Sequence, residues 1–353
     1  MHNLLGRIGL EHPIVQAPMA GTATPALAAQ VSESGGLGSI SIAAVNVENG
    51  RQMIRALRAA TDKPFNVNVF CHAPSVADAA VEQAWLDHLS PWFTEFAAAT
   101  PTQIHDIYSS FCSGRDPLQL LLDERPAVVS FHLGLPPQGH IDELKAAGIV
   151  LFASATCVKE ALAIQAAGVD VVVAQGIEAG GHRGVFDPEA MDEQLPTFVL
   201  LQQLLSRLEI PVIAAGGLMD GADIRKALEH GALAAQLGTA FVLCPESSAN
   251  LAYRQMLGSE RAHTTELTRM ISGRPARGMR NRFMTEVGAA GHPTVPGFGI
   301  AYNAGKQLAE AASNAGSGEF SPFWAGQQAP RARALPARAL MAHLIAEYTT
   351  PPL

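Results

Sequence analysis

In the segment EAGGHRG, Glu178 to Gly184, Gly180 and Gly181 stand directly before His182. Glycines let a backbone fold close beneath a ligand, and imidazole exchanges protons near neutral pH, so His182 reads as a catalytic acid or base. The plainer alternative is a loop histidine capping a carbonyl. His132, in SFHLG, is a second candidate, although a strand-end histidine is as often a satisfied core residue. Tyr302 and Lys306 stand at i and i+4 and share one helix face; without a partner element in view, that face reads as solvated.

Two glycine-bearing segments point to a different chemistry. AAGG (Ala214 to Gly217) and LGTAF (Leu237 to Phe241) each close a short apolar run. Barrels bind phosphate at such places, because glycines let backbone N–H groups approach an anion. Two tight turns are the alternative. The chain has no HExxH and no GxxxxGK[ST], and GGLG at Gly35 to Gly38 opens a strand, whereas a dinucleotide fingerprint follows one. Cys71 and His72 are neighbours and would point to opposite faces. With no evident nucleophile, the reactive group is expected to be a phosphate-bearing cofactor. No metal is expected, since the four cysteines form no CxxC pair.

These residues need elements to hold them. Short apolar runs recur at Ile14 to Met19, Gly36 to Ile42, Phe65 to Phe70, Ala127 to Gly134, Val150 to Ala155, Val169 to Gly176, Pro211 to Gly217 and Ala234 to Phe241. Several are apolar throughout, as strands covered on both faces must be. Helical stretches alternate with them, at Pro25 to Ser34, Val47 to Thr61, Ile141 to Gly148, Val158 to Gly168, Leu195 to Leu208 and Ala222 to His230. The rhythm predicts a (β/α)8 TIM barrel over residues 1–244. A stretch at 73–126 is too long for one crossover and reads as a helical insertion. A smaller helical lid is expected over 245–316, and a C-terminal segment, 317–353, returning to the barrel. Met19, Asn68, His132, Gln175, Gly216, Gly217, Gly238 and Thr239 then converge on the strand C-terminal ends, where barrel active sites lie.

Composition narrows the partners. A net charge of -8 opposes a phosphate backbone, and the one arginine cluster, Arg269 to Arg282, is broken by Pro275 and two glycines, so no nucleic acid is expected. No run approaches the roughly 18 apolar residues of a membrane span. The first residues, MHNLLGRIGLEHP, lack the apolar core of a signal peptide, so a cytoplasmic protein with no membrane association is expected.

Taken together, QAPMAG (16–21), PFNVNVF (64–70), VSFHLG (129–134), VVAQGIEAGGHRG (172–184), PVIAAGG (211–217), QLGTAF (236–241) and YNAGKQ (302–307) resemble the nitronate monooxygenases, over about residues 4 to 330. QGIEAGGH is shared with FMN-dependent enoyl-ACP reductases, whereas YNAGKQ points to the first nitronate monooxygenase class. The resemblance implies an FMN barrel that uses O2 to convert alkyl nitronates to carbonyl compounds and nitrite. It matches Asn68, Gln175, Gly180, Gly217, Gln236, Leu237, Gly238 and Thr239 to FMN positions, and His182 to the active-site histidine. His132, Tyr302 and Lys306 match other pocket residues. Met19, Gly181 and Gly216 complete the expected cofactor contacts. Phe298 stands where some members carry tyrosine, which would alter pocket polarity. Rival readings are an FMN-dependent NAD(P)H reductase of quinones or enoyl thioesters, and a non-catalytic sensor of a phosphate ligand. A homo-oligomer stays open.

Overall fold

A computed structural model describes residues 5, 6 and 8–350; residues 1–4, 7 and 351–353, which the expected terminal boundaries include, lie outside it. Eight parallel strands run in the order β1 (Ile14–Gln16), β9 (Ala234–Leu237), β8 (Val212–Ala215), β6 (Val171–Gln175), β5 (Val150–Ala155), β4 (Val128–His132), β3 (Phe65–Phe70) and β2 (Gly38–Ser41). Leu37 closes the ring. Its N–H donates to the Ile14 carbonyl at 2.9 Å and its carbonyl accepts from the Gln16 N–H at 3.0 Å. This is the expected (β/α)8 barrel. Most of its strands are buried along their whole length, which is why their sequences do not alternate.

Three of the crossover helices begin on side-chain caps. Thr24 accepts from the Leu27 N–H ahead of α1 (Pro25–Glu33), Asn46 caps α2 (Val47–Ala60), and Asp220 caps α8 (Gly221–Glu229). One glycine sets how closely a helix can seat: a Cβ on Gly38 would lie 1.9 Å from the Ala28 carbonyl oxygen, so any side chain there would lift α1 off the barrel.

The insertion carries α3 (Ala79–Glu95) and α4 (Asp116–Glu124). Trp85, Leu89 and Phe93 of α3 pack with Phe283, Leu308 and Phe320, forming a second apolar cluster between the insertion and the segment after β9. That segment was expected to be helical, and it departs from this at two strands, β10 (Thr265–Thr268) and β11 (Ala276–Met279). With β7 (Gly181–His182) they form an antiparallel sheet. Nothing in the sequence betrays β11, because Ala276, Arg277, Gly278 and Met279 are all buried and show no alternation. The segment's longest helix is α10 (Ile300–Asn314). Finally α11 (Ala337–Thr349) buries Leu340, Met341 and Leu344 in the barrel core, and its Glu347 accepts from the Gly221 N–H at 2.9 Å. Among the described residues, no helix is long and apolar enough to cross a membrane.

Candidate active site

A cavity of about 440 Å³ opens at the strand C-terminal ends, roofed by residues 302–326. Met19, Asn68, His132 and Gln175 line it from four barrel strands or the turns after them, Gly180, Gly181 and His182 from the loop after β6, and Tyr302 and Lys306 from α10. Gly216, Gly217, Gln236, Gly238 and Thr239 line one end. Leu237 does not face the cavity; its side chain is 1% exposed and lies in the barrel core. Strand side chains alternate, so with Gln236 pointing inward Leu237 must point to the helices.

The glycine end suits an anion. The N–H groups of Gly217 and Gly238 have no protein acceptor among the described residues. The Thr239 hydroxyl accepts from the Gly326 N–H at 3.0 Å, which leaves its own proton to give. Gly217 has φ +72°, a conformation that favours glycine.

Further in, the two amides are braced by the protein. Asn68 Nδ2 donates to the carbonyl and hydroxyl of Ser130 at 3.0 and 3.1 Å, and its Oδ1 accepts from Ser41 at 3.0 Å. Gln175 Nε2 donates to the His182 carbonyl at 3.0 Å while its Oε1 accepts from the Gly184 N–H at 2.7 Å. Each amide is thus held in one orientation: Asn68 keeps an acceptor position and Gln175, whose Oε1 also accepts from Arg183 at 3.4 Å, keeps a donor, groups that the edge of a flat, polar ring could meet.

His182 lines the same cavity. The β7–β11 pairing places it opposite Ala276, and its carbonyl accepts from both Gln175 and His132 Nε2, the latter at 3.1 Å. His132 is therefore a bonded residue and a lining residue at once. The His182 ring has Phe298 at 5.3 Å, Trp324 at 5.4 Å and Tyr302 at 5.9 Å, and Trp324 Nε1 donates to the Tyr302 hydroxyl at 3.2 Å. This partial enclosure desolvates the ring and lowers the His182 pKa to about 3, with His132, Arg274 and His72 adding to the effect. Burial likewise lowers His132 to about 4. Both rings are neutral at physiological pH. Lys306, which is exposed, sets its ammonium 4.9 Å from the Tyr108 ring and 5.1 Å from Tyr302, and it is the one lysine or arginine among the described residues that line the cavity.

Sequence reasoning passed over Tyr108, Trp324, Ser272 and Arg274. Tyr108 comes from an irregular part of the insertion and Trp324 from a loop, where no spacing marks a residue as inward. Ser272 Oγ lies 2.9 Å from His182 Nε2, yet SGR carries no signal for it. Arg274 is 3% exposed with its Nε unpartnered, although its stretch reads as a solvated basic cluster.

Fold and site together describe a (β/α)8 barrel with a cavity at the strand C-terminal ends, lined by glycines, two braced amides and a histidine. The sequence profile of nitronate monooxygenase matches residues 2–347. The nitronate monooxygenase of Pseudomonas aeruginosa is 53% identical over 96% of this chain and 97% of its own, and that of Paraburkholderia phytofirmans is 54% identical over 97% and 93%. Among solved structures, the nitroalkane oxidase of Streptomyces ansochromogenes superposes with a TM-score of 0.88 at 36% identity, covering 97% of each chain. FabK of Thermotoga maritima superposes at 0.73 with 29% identity, covering 98% of this chain and 96% of its own. The chain belongs to the nitronate monooxygenase family, flavin-dependent oxidoreductases that oxidise nitronates.

Proposed function

We propose that FMN fills the cavity, its phosphate at Gly217, Gly238 and Thr239 and its ring edge along Asn68 and Gln175. The protein then oxidises alkyl nitronates with O2, giving a carbonyl compound and nitrite. FMN, when bound, supplies the electron-accepting chemistry between nitronate and O2. The observation that carries this reading is that His182 lines the same cavity as Gly217, Gly238 and Thr239, whose glycine N–H groups are, among the described residues, free to meet an anion. His132, bonded to the His182 carbonyl, positions it.

A neutral imidazole acts as a base and not as a standing cation. His182 takes the α-proton from a neutral nitroalkane, and the imidazolium forms beside the nitronate that the same step creates. The charge that enclosure penalises is thereby compensated as it appears. A nitronate supplied as the anion needs no proton removed, and Lys306 is the group that draws it in. Lys306→Met should raise the nitronate KM by about threefold to tenfold, the range of a partly exposed charge contact, while kcat changes less. An unchanged KM would return Lys306 to a solvated role. Partial burial against the two rings lowers the Lys306 pKa, so nitronate capture should weaken as pH rises toward the alkaline range.

The likeness to nitroalkane oxidase, at 36% identity and a TM-score of 0.88, favours the nitronate reading over the NAD(P)H-reductase alternative.

A further inference from the structure

Ser272 sits where a hydroxyl can decide which nitrogen of His182 carries the proton. Its Oγ is 2.9 Å from His182 Nε2 and 3.2 Å from the carbonyl oxygen of Arg274, and the residue is 1% exposed. A hydroxyl has one proton to donate, and a carbonyl can only accept. The Arg274 carbonyl has no other protein donor among the described residues. Were Ser272 to donate to His182 instead, that buried carbonyl would be left unsatisfied, its desolvation uncompensated. Both contacts are satisfied together only when Ser272 donates to Arg274 O and His182 donates from Nε2.

We infer that Ser272 is a positioning residue that fixes His182 as the Nε2–H tautomer, leaving Nδ1 as the atom that accepts the proton. Nδ1 has no partner in the protein and is not among the sealed, unpartnered buried atoms, so it borders the cavity that His182 lines. In the proton step the α-carbon–hydrogen bond breaks, its electron pair passes into the nitro group to give the nitronate, and the proton bonds to Nδ1. The inference rests on the base role proposed above for its consequence, but not for its test.

The test is the tautomer itself, read from long-range proton–nitrogen correlations of the ¹⁵N-histidine-labelled holoenzyme at neutral pH, with His182→Asn identifying the signals. A single form protonated at Nε2 is expected in the wild type. In Ser272→Ala a mixture of the two tautomers should appear, and Ser272→Thr, which keeps the hydroxyl, should restore one. Turnover of a neutral nitroalkane should fall about tenfold or more in Ser272→Ala and recover in Ser272→Thr, because a base presenting the wrong nitrogen cannot act. A proton on Nδ1 in the wild type, or the unchanged single tautomer in Ser272→Ala, overturns the inference. The wild-type spectrum decides even if the alanine variant is unstable. An Nε2–H tautomer in a protein that turns over neither nitroalkane nor nitronate would support the assignment while the proposed function failed.

Discussion

Replacing His182 with asparagine should cut turnover of neutral nitroalkanes by about 10²-fold or more while part of the nitronate activity survives. Asparagine keeps hydrogen-bonding capacity beside Ser272 but cannot accept a proton. The variant should fold, because the bonds from Gln175 and His132 that anchor position 182 use its backbone carbonyl and not its ring. Steady-state kinetics on a nitroalkane and on its preformed nitronate, in parallel, separate the two jobs the residue could have. Equal loss on both would mean that His182 binds the substrate and that the proton goes elsewhere.

A comparable loss is expected at the glycines that line the cavity, in cofactor content. Gly238→Leu should yield folded protein with flavin occupancy reduced at least tenfold, if one ordered charge-assisted contact is worth about 1.5–3 kcal/mol and the leucine also takes up ligand volume. Gly238 is the informative glycine because its backbone does not require one. Its φ is -110°, and an added Cβ would meet only Ala17 Cβ at 3.4 Å and Met19 Sδ at 3.8 Å. At Gly217, by contrast, φ is +72° and a Cβ would press on Glu178 at 3.1 Å, so a colourless variant could simply be misfolded. Flavin released on denaturation, measured against protein with the melting temperature alongside, checks this. Full occupancy in a stable Gly238→Leu would remove the phosphate from these glycines.

The barrel was legible because burial on both faces leaves a composition that few other elements share, and because strand ends are marked by glycine or polar residues. The strands themselves stop earlier than their apolar runs: Ala17 to Met19 continue the first run but leave the barrel to line the cavity. Leu237 shows the limit of reading a motif as a block, since alternation excludes it while Gln236 and Gly238 on either side are admitted. The β10–β11 hairpin and the residues Tyr108, Ser272, Arg274 and Trp324 were not legible for a common reason. Their places are set by contacts between the insertion, the covering segment and the barrel, and such contacts leave no period in the local sequence. Arg274 is the sharpest case: on composition it is a surface charge, and in the fold it is buried near three histidines, where its charge adds to the burial that lowers the pKa of each.

The central claim, that electrons enter from a nitronate, is tested most directly by the visible spectrum of the purified protein under anaerobic conditions. Addition of an alkyl nitronate should bleach the flavin absorbance within the turnover time, admission of O2 should restore it with release of nitrite, and NADH or NADPH alone should leave it unchanged. A flavin that bleaches with NADH or NADPH and stays oxidised with every nitronate tried would contradict the account and establish the reductase reading in its place.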